Sequence, residues 1–369
     1  MPISLRVTDF DYCLASELIA QAPASERDHS RLLVLDRATG TLRHQLFRDL
    51  PELLTPGDLL VINEVKVFPA RLFGSSARGH GVEILLIQEI ETNNWEVLIK
   101  PSRKVRVDDR LLLADGKIEA RLLEKRAEGR HLLRLVYHGE LRDLLWEVGQ
   151  MPLPPYIKRQ GSGCRVQGVG KEDPTFLNPL PSTLNPSLDF ERYQTVYAKH
   201  EGAIAAPTAG LHFTPELIET LKSRGIAFAP MTLYVGPGTF RPVRAATVND
   251  HRMEPERYII PEETVRAFKA ARNDGRRVIA VGTTTVRALE HAAIDGEVRA
   301  GAGTADLFIF PGYQFKIIDG LITNFHLPRS TLLMLVSAFA GRDTTLAAYR
   351  EAIAARYRFY SYGDAMLIV

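Results

Sequence analysis

Only two cysteines occur in 369 residues, Cys13 and Cys164. Two thiols make no disulfide framework, and no Cys/His spacing matches a zinc site. The expectation is a reducing compartment and no metal. Long apolar runs are missing too. The longest, Leu332 to Ala340, falls far short of the roughly 20 residues that a membrane span needs. The first thirty residues hold no apolar stretch of the signal-peptide kind and carry Asp9, Asp11, Glu17, Glu26, Arg27 and Asp28. These absences argue against a secreted disulfide scaffold and a helical membrane protein. They lead to the expectation of a soluble cytoplasmic protein.

A strong charge of one sign is also absent. The chain has 46 basic and 44 acidic residues, a net charge of +2. Its pI of 8.4 lies below the range above about 9 that marks a nucleic-acid domain. Charge permits a local basic patch and no more. No internal repeat stands out. No glycine pattern matches a Walker A loop or a Rossmann fingerprint, which argues against ATP and NAD.

What is present is an ordinary globular balance, 45% hydrophobic and 24% charged, in a chain long enough for about two domains. Ser30 to Asp36 reads as a strand, and Leu42 to Leu46 as its hairpin partner. From Gly57 to about Val148, short apolar or alternating runs succeed one another. They are Leu59–Asn63, Arg71–Phe73, Val82–Glu89, Trp95–Lys100, Arg110–Ala114, Ile118–Leu123 and His131–Tyr137. Turn signals separate them, so a small antiparallel barrel or sandwich is expected. Residues 160–190 are rich in glycine and proline and read as a flexible insertion. From Tyr193 onward strands and helices alternate, which implies a parallel or barrel-like sheet with its ligand site at the carboxyl ends of the strands. One helix is well marked: Thr214 is an N-cap, Pro215 takes the first helical position, and Gly225 is the stop. Further helices are expected over 262–274, 284–293, 330–339 and 344–357, and a strand over Leu307–Phe310.

Four glycine loops follow the expected strands: Ala206 to Phe213, Gly236 to Phe240, Gly282 to Thr285, and Pro311 to Tyr313. Any one of them alone reads as a strand-to-helix turn. Four on one sheet edge suggest a nucleotide- or ribose-binding rim, since glycine admits close backbone approach and helix starts attract anions. His212, His251 and His326 lie in polar loops at the ends of apolar runs and are the acid/base candidates. Lys100, Arg103, Lys104 and Arg106 cluster, as do Lys158 and Arg159, with Trp95 and Tyr156 nearby as possible base-stacking rings. The alternative for each cluster is a solvated face.

The motifs in sequence carry a resemblance to a known family. They include Pro56-Gly-Asp-Leu-Leu-Val-Ile-Asn63, Lys66-Val-Phe-Pro-Ala-Arg-Leu72, Lys100-Pro-Ser-Arg-Lys104, Met151-Pro-Leu-Pro-Pro-Tyr-Ile157, Ala205-Ala-Pro-Thr-Ala-Gly-Leu-His-Phe-Thr214, Val235-Gly-Pro-Gly-Thr-Phe240, Ala280-Val-Gly-Thr-Thr-Thr285, Thr323-Asn-Phe-His-Leu-Pro328 and Tyr360-Ser-Tyr-Gly-Asp-Ala-Met366. Over nearly its full length the chain resembles the S-adenosylmethionine:tRNA ribosyltransferase-isomerases of queuosine biosynthesis. It departs from their pattern at Glu64, Tyr234 and Glu254, where the family has Asp, His and His.

The resemblance implies an α/β fold: a barrel-like main domain over 1–60 and 151–369, with a small antiparallel β-barrel inserted at 61–150. It implies transfer and rearrangement of the ribosyl group of S-adenosylmethionine onto 7-aminomethyl-7-deazaguanine in tRNA. S-adenosylmethionine is then a consumed substrate, with no separate cofactor. The sulfonium acidifies the C5′ protons, so the chemistry needs a base, a proton source for departing adenine and a neutral attacking amine. On this reading His212, His251, Glu256 and His326 supply acid/base and orienting groups. Pro207, Thr208, Gly210, Gly236, Gly238, Thr239, Gly282, Thr283, Thr284 and Asn324 hold the substrate. Lys100, Arg103 and Lys104 contact tRNA, with Lys158 and Arg159 as second choices. Two rivals remain at this point: a nucleotide-dependent phosphoryl- or phosphoribosyl-transferase, and a non-catalytic tRNA-binding protein.

Overall fold

The computed structural model describes residues 5–159, 186–236, 238, 243 and 245–369. It divides into two compact units, residues 1–66 with 194–369, and residues 67–193. The sequence reading sets the boundaries earlier, at 60/61 and 150/151. The chain contacts place residues 151–159 and 186–193 with the second unit. Of the expected insertion at 160–190, only the start of the helix Pro186–Arg192 is described; the rest, with Cys164, lies outside the described residues.

The first unit is built on a mixed sheet of nine strands. From one end it runs Gly301–Ala305, Glu256–Ile260, Ala227–Leu233, Leu59–Asn63, Val278–Val281, Gly320–Asn324, Ala365–Ile368, Arg31–Leu35 and Leu42–Leu46. The four strands from Ala227–Leu233 to Gly320–Asn324 are parallel. The three inner ones, Leu59–Asn63, Val278–Val281 and Gly320–Asn324, are apolar nearly throughout and buried on both faces, as helix-covered parallel strands must be, whereas Ala227–Leu233 is buried mainly over its second half. Leu60, Ile62, Ile279, Val281, Ile322, Leu367, Leu32 and Val34 belong to one core cluster with Phe47, Phe213 and Leu217.

Direction of pairing decides where the site falls. The parallel strands end at Leu233, Asn63, Val281 and Asn324. Ala365–Ile368 runs antiparallel to its neighbour and Arg31–Leu35 runs parallel to that strand, so both begin at the same edge. Glu256 and Ala305, partners in register at the other end of the sheet, reach it too. One edge thus collects residues from the whole length of the unit.

The helices follow the sequence signals closely. Thr214 Oγ1 accepts the Leu217 N–H at 3.1 Å to cap the helix Pro215–Ser223. Ser330 caps Thr331–Ala340 in the same way. Leu307–Phe310 is not a strand; the edge strand is the glycine-rich Gly301–Ala305. Its apolarity misleads because it forms no ladder, and the Leu307 carbonyl accepts from Arg287 instead. No helix among the described residues is long and apolar enough to cross a membrane.

The second unit holds a closed six-stranded antiparallel barrel, in the order Arg130–Tyr137, Asn94–Lys100, Gly81–Glu91, Arg71–Ser76, Arg110–Leu113 and Ile118–Lys125. Alternate residues such as Val82, Ile84 and Leu86 are buried inside. The run Leu59–Asn63, which resembles its neighbours in sequence, lies instead in the middle of the nine-stranded sheet. Its unbroken burial, against the alternation of the barrel strands, is the physical difference.

Candidate active site

His212 sits in a short turn, Thr208–His212, between Pro207 and the cap of the following helix. Ala209, Leu211 and Phe213 are buried, and Phe213 packs edge-on against Phe47 with ring centroids 5.0 Å apart. The apolar neighbours pin the turn, so the imidazole has little freedom. Gly210 is needed there: a Cβ would lie 2.1 Å from the Tyr197 hydroxyl. His212 Nδ1 lies 2.7 Å from Ser30 Oγ, and Nε2 lies 3.3 Å from Asn324 Nδ2. Burial pushes its pKa down to about 4, partly opposed by Asp364 and reinforced by Arg358 and Arg27. The ring is therefore neutral at pH 7.

His326 lies two residues past the end of the Gly320–Asn324 strand. Its Nε2 meets Thr323 Oγ1 at 2.7 Å, its backbone N–H donates to the Tyr349 hydroxyl at 3.0 Å, and its carbonyl accepts from Tyr12. Burial depresses its pKa to about 3. Gly282 joins Val278–Val281 to the helix Thr283–Ala292 with φ near +97°, a conformation that a side chain strains. Its N–H donates to the Ile322 carbonyl at 2.8 Å, and a Cβ on it would lie 4.0 Å from Ala209. Residues 208–212, 282–284 and 323–326 are thus brought together.

A second group stands toward the other end of the same edge. Glu256 and Arg287 form a buried ion pair at 2.6 Å, with side chains 4% and 3% exposed. The other Glu256 oxygen accepts the Gly236 N–H at 2.9 Å. Arg287 also donates to the carbonyls of Ala305 and Leu307. Glu256 is therefore an anchor for the 236 loop. Gly238 lies against Glu254, whose carboxylate would be 2.9 Å from a Cβ there. Thr239 lies outside the described residues. His251 is half-buried and packs edge-on against Phe308, with centroids 5.1 Å apart; burial lowers its pKa. It makes no contact with His212 or His326 among the described residues.

The loop Pro311–Tyr313 does not join this edge. Tyr313 donates to Glu290, seven residues along the helix from Thr283 and so about 10 Å away. Glu64, Tyr234 and Glu254, the departures from the family pattern, do border the edge. Glu64 lies 3.3 Å from His200, and Tyr234 packs where a Cβ on Gly202 would stand.

Sequence reasoning missed Ser30, Asn63, Thr195, Tyr197 and Arg287. Ser30 and His212 are 182 residues apart, with no local signal between them. Arg287 did carry one: a lone cation among Val286, Ala288 and Leu289 must be paired inside.

In the barrel unit, Lys100 ends its strand, and Arg103 and Lys104 are exposed on the turn Ser102–Lys104. Lys125 braces that turn by donating to the Ser102 carbonyl at 3.1 Å. Lys158 is exposed. Arg159 is held by Asp189 through two hydrogen bonds of 2.8 Å. Trp95 buries its indole nitrogen and packs near Phe68.

Comparison with known proteins gives one answer. The family described as Queuosine biosynthesis protein matches residues 7–368. S-adenosylmethionine:tRNA ribosyltransferase-isomerase from Carboxydothermus hydrogenoformans is 50% identical over 365 residues, covering 99% of this chain and 100% of its own. The protein of the same name from Heliobacterium modesticaldum is 49% identical over 368 residues, with the same coverage. The solved S-adenosylmethionine tRNA ribosyltransferase from Thermotoga maritima covers 98% of this chain and 100% of its own, at 40% identity and a TM-score of 0.53. With matches of this length and identity, the chain belongs to the queuosine biosynthesis family of S-adenosylmethionine:tRNA ribosyltransferase-isomerases.

Proposed function

We propose that this enzyme transfers and isomerises the ribosyl group of S-adenosylmethionine onto 7-aminomethyl-7-deazaguanine at the tRNA wobble position. The products are epoxyqueuosine-tRNA, adenine and methionine. S-adenosylmethionine is consumed as a substrate, no cofactor or metal takes part, and the reaction is cytoplasmic. The observation that carries this reading is a convergence. The motif stretches 205–214, 280–285 and 323–328, distant in sequence, meet at one sheet edge and are joined there by the contacts of His212, Asn324 and Gly282.

Removing a C5′ proton needs a group with an open lone pair. Both ring nitrogens of His212 are engaged, and the Glu256 carboxylate is tied to the Gly236 N–H and to Arg287, which fix it as an anchor of the fold. The His251 ring makes no hydrogen bond among the described residues, and the residue is half-buried. In this reading His251 is the general base. Thr283, Thr284, the 207–210 loop, Gly236 and Gly238 hold the nucleoside, with His326 orienting Thr323. Lys100, Arg103 and Lys104 hold tRNA phosphates; Lys158 is a second choice, and Arg159 contributes less because Asp189 already holds it.

The test is incubation with S-adenosylmethionine and tRNA carrying the 7-aminomethyl-7-deazaguanine base. Adenine and methionine are released and the nucleoside gains the ribosyl-derived mass. No release from the correctly modified tRNA sinks the reading. His251→Ala lowers kcat by about a hundredfold or more with the fold intact; an unchanged kcat removes it from the role of base.

A further inference from the structure

Asn324 ends its strand with a side chain that is 2% exposed. Its Nδ2 donates to the Tyr360 carbonyl at 3.1 Å and faces His212 Nε2 at 3.3 Å. A carbonyl only accepts, so the amide nitrogen must be the end that faces Tyr360. Both amide hydrogens are then in use. His212 Nε2 is an acceptor, which places the proton of the neutral ring on Nδ1. Nδ1–H donates to Ser30 Oγ, and the Ser30 hydroxyl donates to the Arg27 carbonyl at 3.4 Å. Arg27 in turn donates to the Leu211 carbonyl, beside His212, at 3.0 Å. Donation runs one way, from Asn324 through His212 and Ser30 to Arg27.

The atom left over is Asn324 Oδ1. It is buried and has no hydrogen-bond partner among the described residues. A native interior rarely leaves such an acceptor unpaired without reason. Two more residues with buried unpartnered hydroxyls, Tyr197 and Thr195, flank Gly210 on the same turn that carries His212, Tyr197 through its hydroxyl and Thr195 through its methyl.

We propose that Asn324 Oδ1 accepts an N–H or O–H donor of the S-adenosylmethionine nucleoside, and that Ser30 and His212 are positioning residues that hold its amide. The assignment rests on the substrate proposed above. It takes His212 out of the role of base, because Asn324 occupies its only lone pair. Asn324 is the residue that touches the substrate.

The full-length enzyme is titrated calorimetrically with S-adenosylmethionine alone, and kcat and KM are measured with the modified tRNA. Asn324→Ala weakens binding about tenfold to a hundredfold and raises KM for S-adenosylmethionine more than it lowers kcat. Ser30→Ala, a smaller change to the fold, weakens binding about threefold to tenfold. His212→Ala behaves likewise, whereas His212→Gln regains much of the loss, because its amide oxygen stands where Nε2 stood. An analogue without the adenine 6-amino group separates the donors. If Asn324→Ala loses nothing against the analogue, the amino group is the donor; if it loses as much as with S-adenosylmethionine, a ribose hydroxyl is. Asn324→Ala and Ser30→Ala proteins of unchanged Tm that bind within twofold of wild type overturn the proposal. So does a His212→Gln enzyme as inactive in kcat as His212→Ala at unchanged KM. Failure of the wild type to bind S-adenosylmethionine would count against the proposed function instead.

Discussion

Two asparagines end strands of the parallel core, and they are finished differently. Asn63 donates from Nδ2 to the Leu233 carbonyl at 3.0 Å, and its Oδ1 accepts from the N–H groups of Leu233 and Val65 at 3.0 and 3.1 Å. Asn324 donates to Tyr360 and His212, and its Oδ1 accepts nothing among the described residues. The residue type, the end of the strand and the burial are the same. Asn63 substitutes for backbone pairing where two neighbouring strands part, so it belongs to the fold. Asn324 is held equally firmly and still has a lone acceptor, so it belongs to a ligand. For this pair of asparagines, complete pairing goes with the fold and the open acceptor with the proposed ligand.

The comparison breaks most visibly at the ion pair. If complete pairing means structure, then Arg287→Met, which strands the buried Glu256 carboxylate, costs about 3–5 kcal/mol of stability. Denaturant midpoints check this. A variant as stable as wild type that releases no adenine would move the Glu256–Arg287 pair to the chemical side. Asn63→Ala comes next. It leaves three backbone groups of Leu233 and Val65 without their partner and costs about 2–4 kcal/mol by the same measurement. A loss under about 1 kcal/mol would erase the contrast with Asn324.

Acid sharpens the comparison by testing the ring that orients Asn324. His212 titrates near 4 and His326 near 3 in the folded chain, against about 6.5 unfolded. Arg27, Arg358 and Asp364 are the charged groups that act on His212. Below pH 6.5 the unfolded chain binds protons that the folded chain refuses, so stability falls as pH drops from 6.5 toward 4. The slope is up to about 1.4 kcal/mol per pH unit for each histidine. Melts at pH 7, 6 and 5 measure it, and His212→Gln removes one proton's worth. A slope unchanged in that variant means that His212 is protonated in the fold, and the direction of donation reverses.

What the sequence made legible follows the same division. The cap Thr214, the helix stop at Gly225 and the alternation of the barrel strands are local, and each was readable from a few neighbouring residues. Leu59–Asn63 was misplaced with the barrel strands because a buried parallel strand and a barrel strand differ only in whether alternate residues are polar. Motif resemblance pointed to His212, Gly282 and Asn324. It did not say that His212 is saturated, because its partners Ser30 and Asn324 come from the two ends of the chain. Pairing is a property of three-dimensional contacts, so neither the role of Glu256 as an anchor nor the open acceptor of Asn324 was visible in one dimension.

The smallest expected effects carry the comparison into the barrel unit, where the same rule sorts the cations. Arg159 is bound on both prongs by Asp189 and is little exposed. Lys104 is exposed on its turn and forms no ion pair among the described residues. If pairing separates structure from function here too, Lys104→Ala weakens tRNA binding about threefold to tenfold and reduces the salt slope of the logarithmic affinity by about one. Arg159→Ala changes that slope by less than Lys104→Ala does and lowers the melting temperature as well. Filter binding of the modified tRNA at several salt concentrations distinguishes the two. A slope that changes for Arg159 and not for Lys104 would show that an ion pair in the free protein can open onto a phosphate, and pairing would then cease to separate fold from function on a wet surface, even while it holds in the dry interior around Asn324.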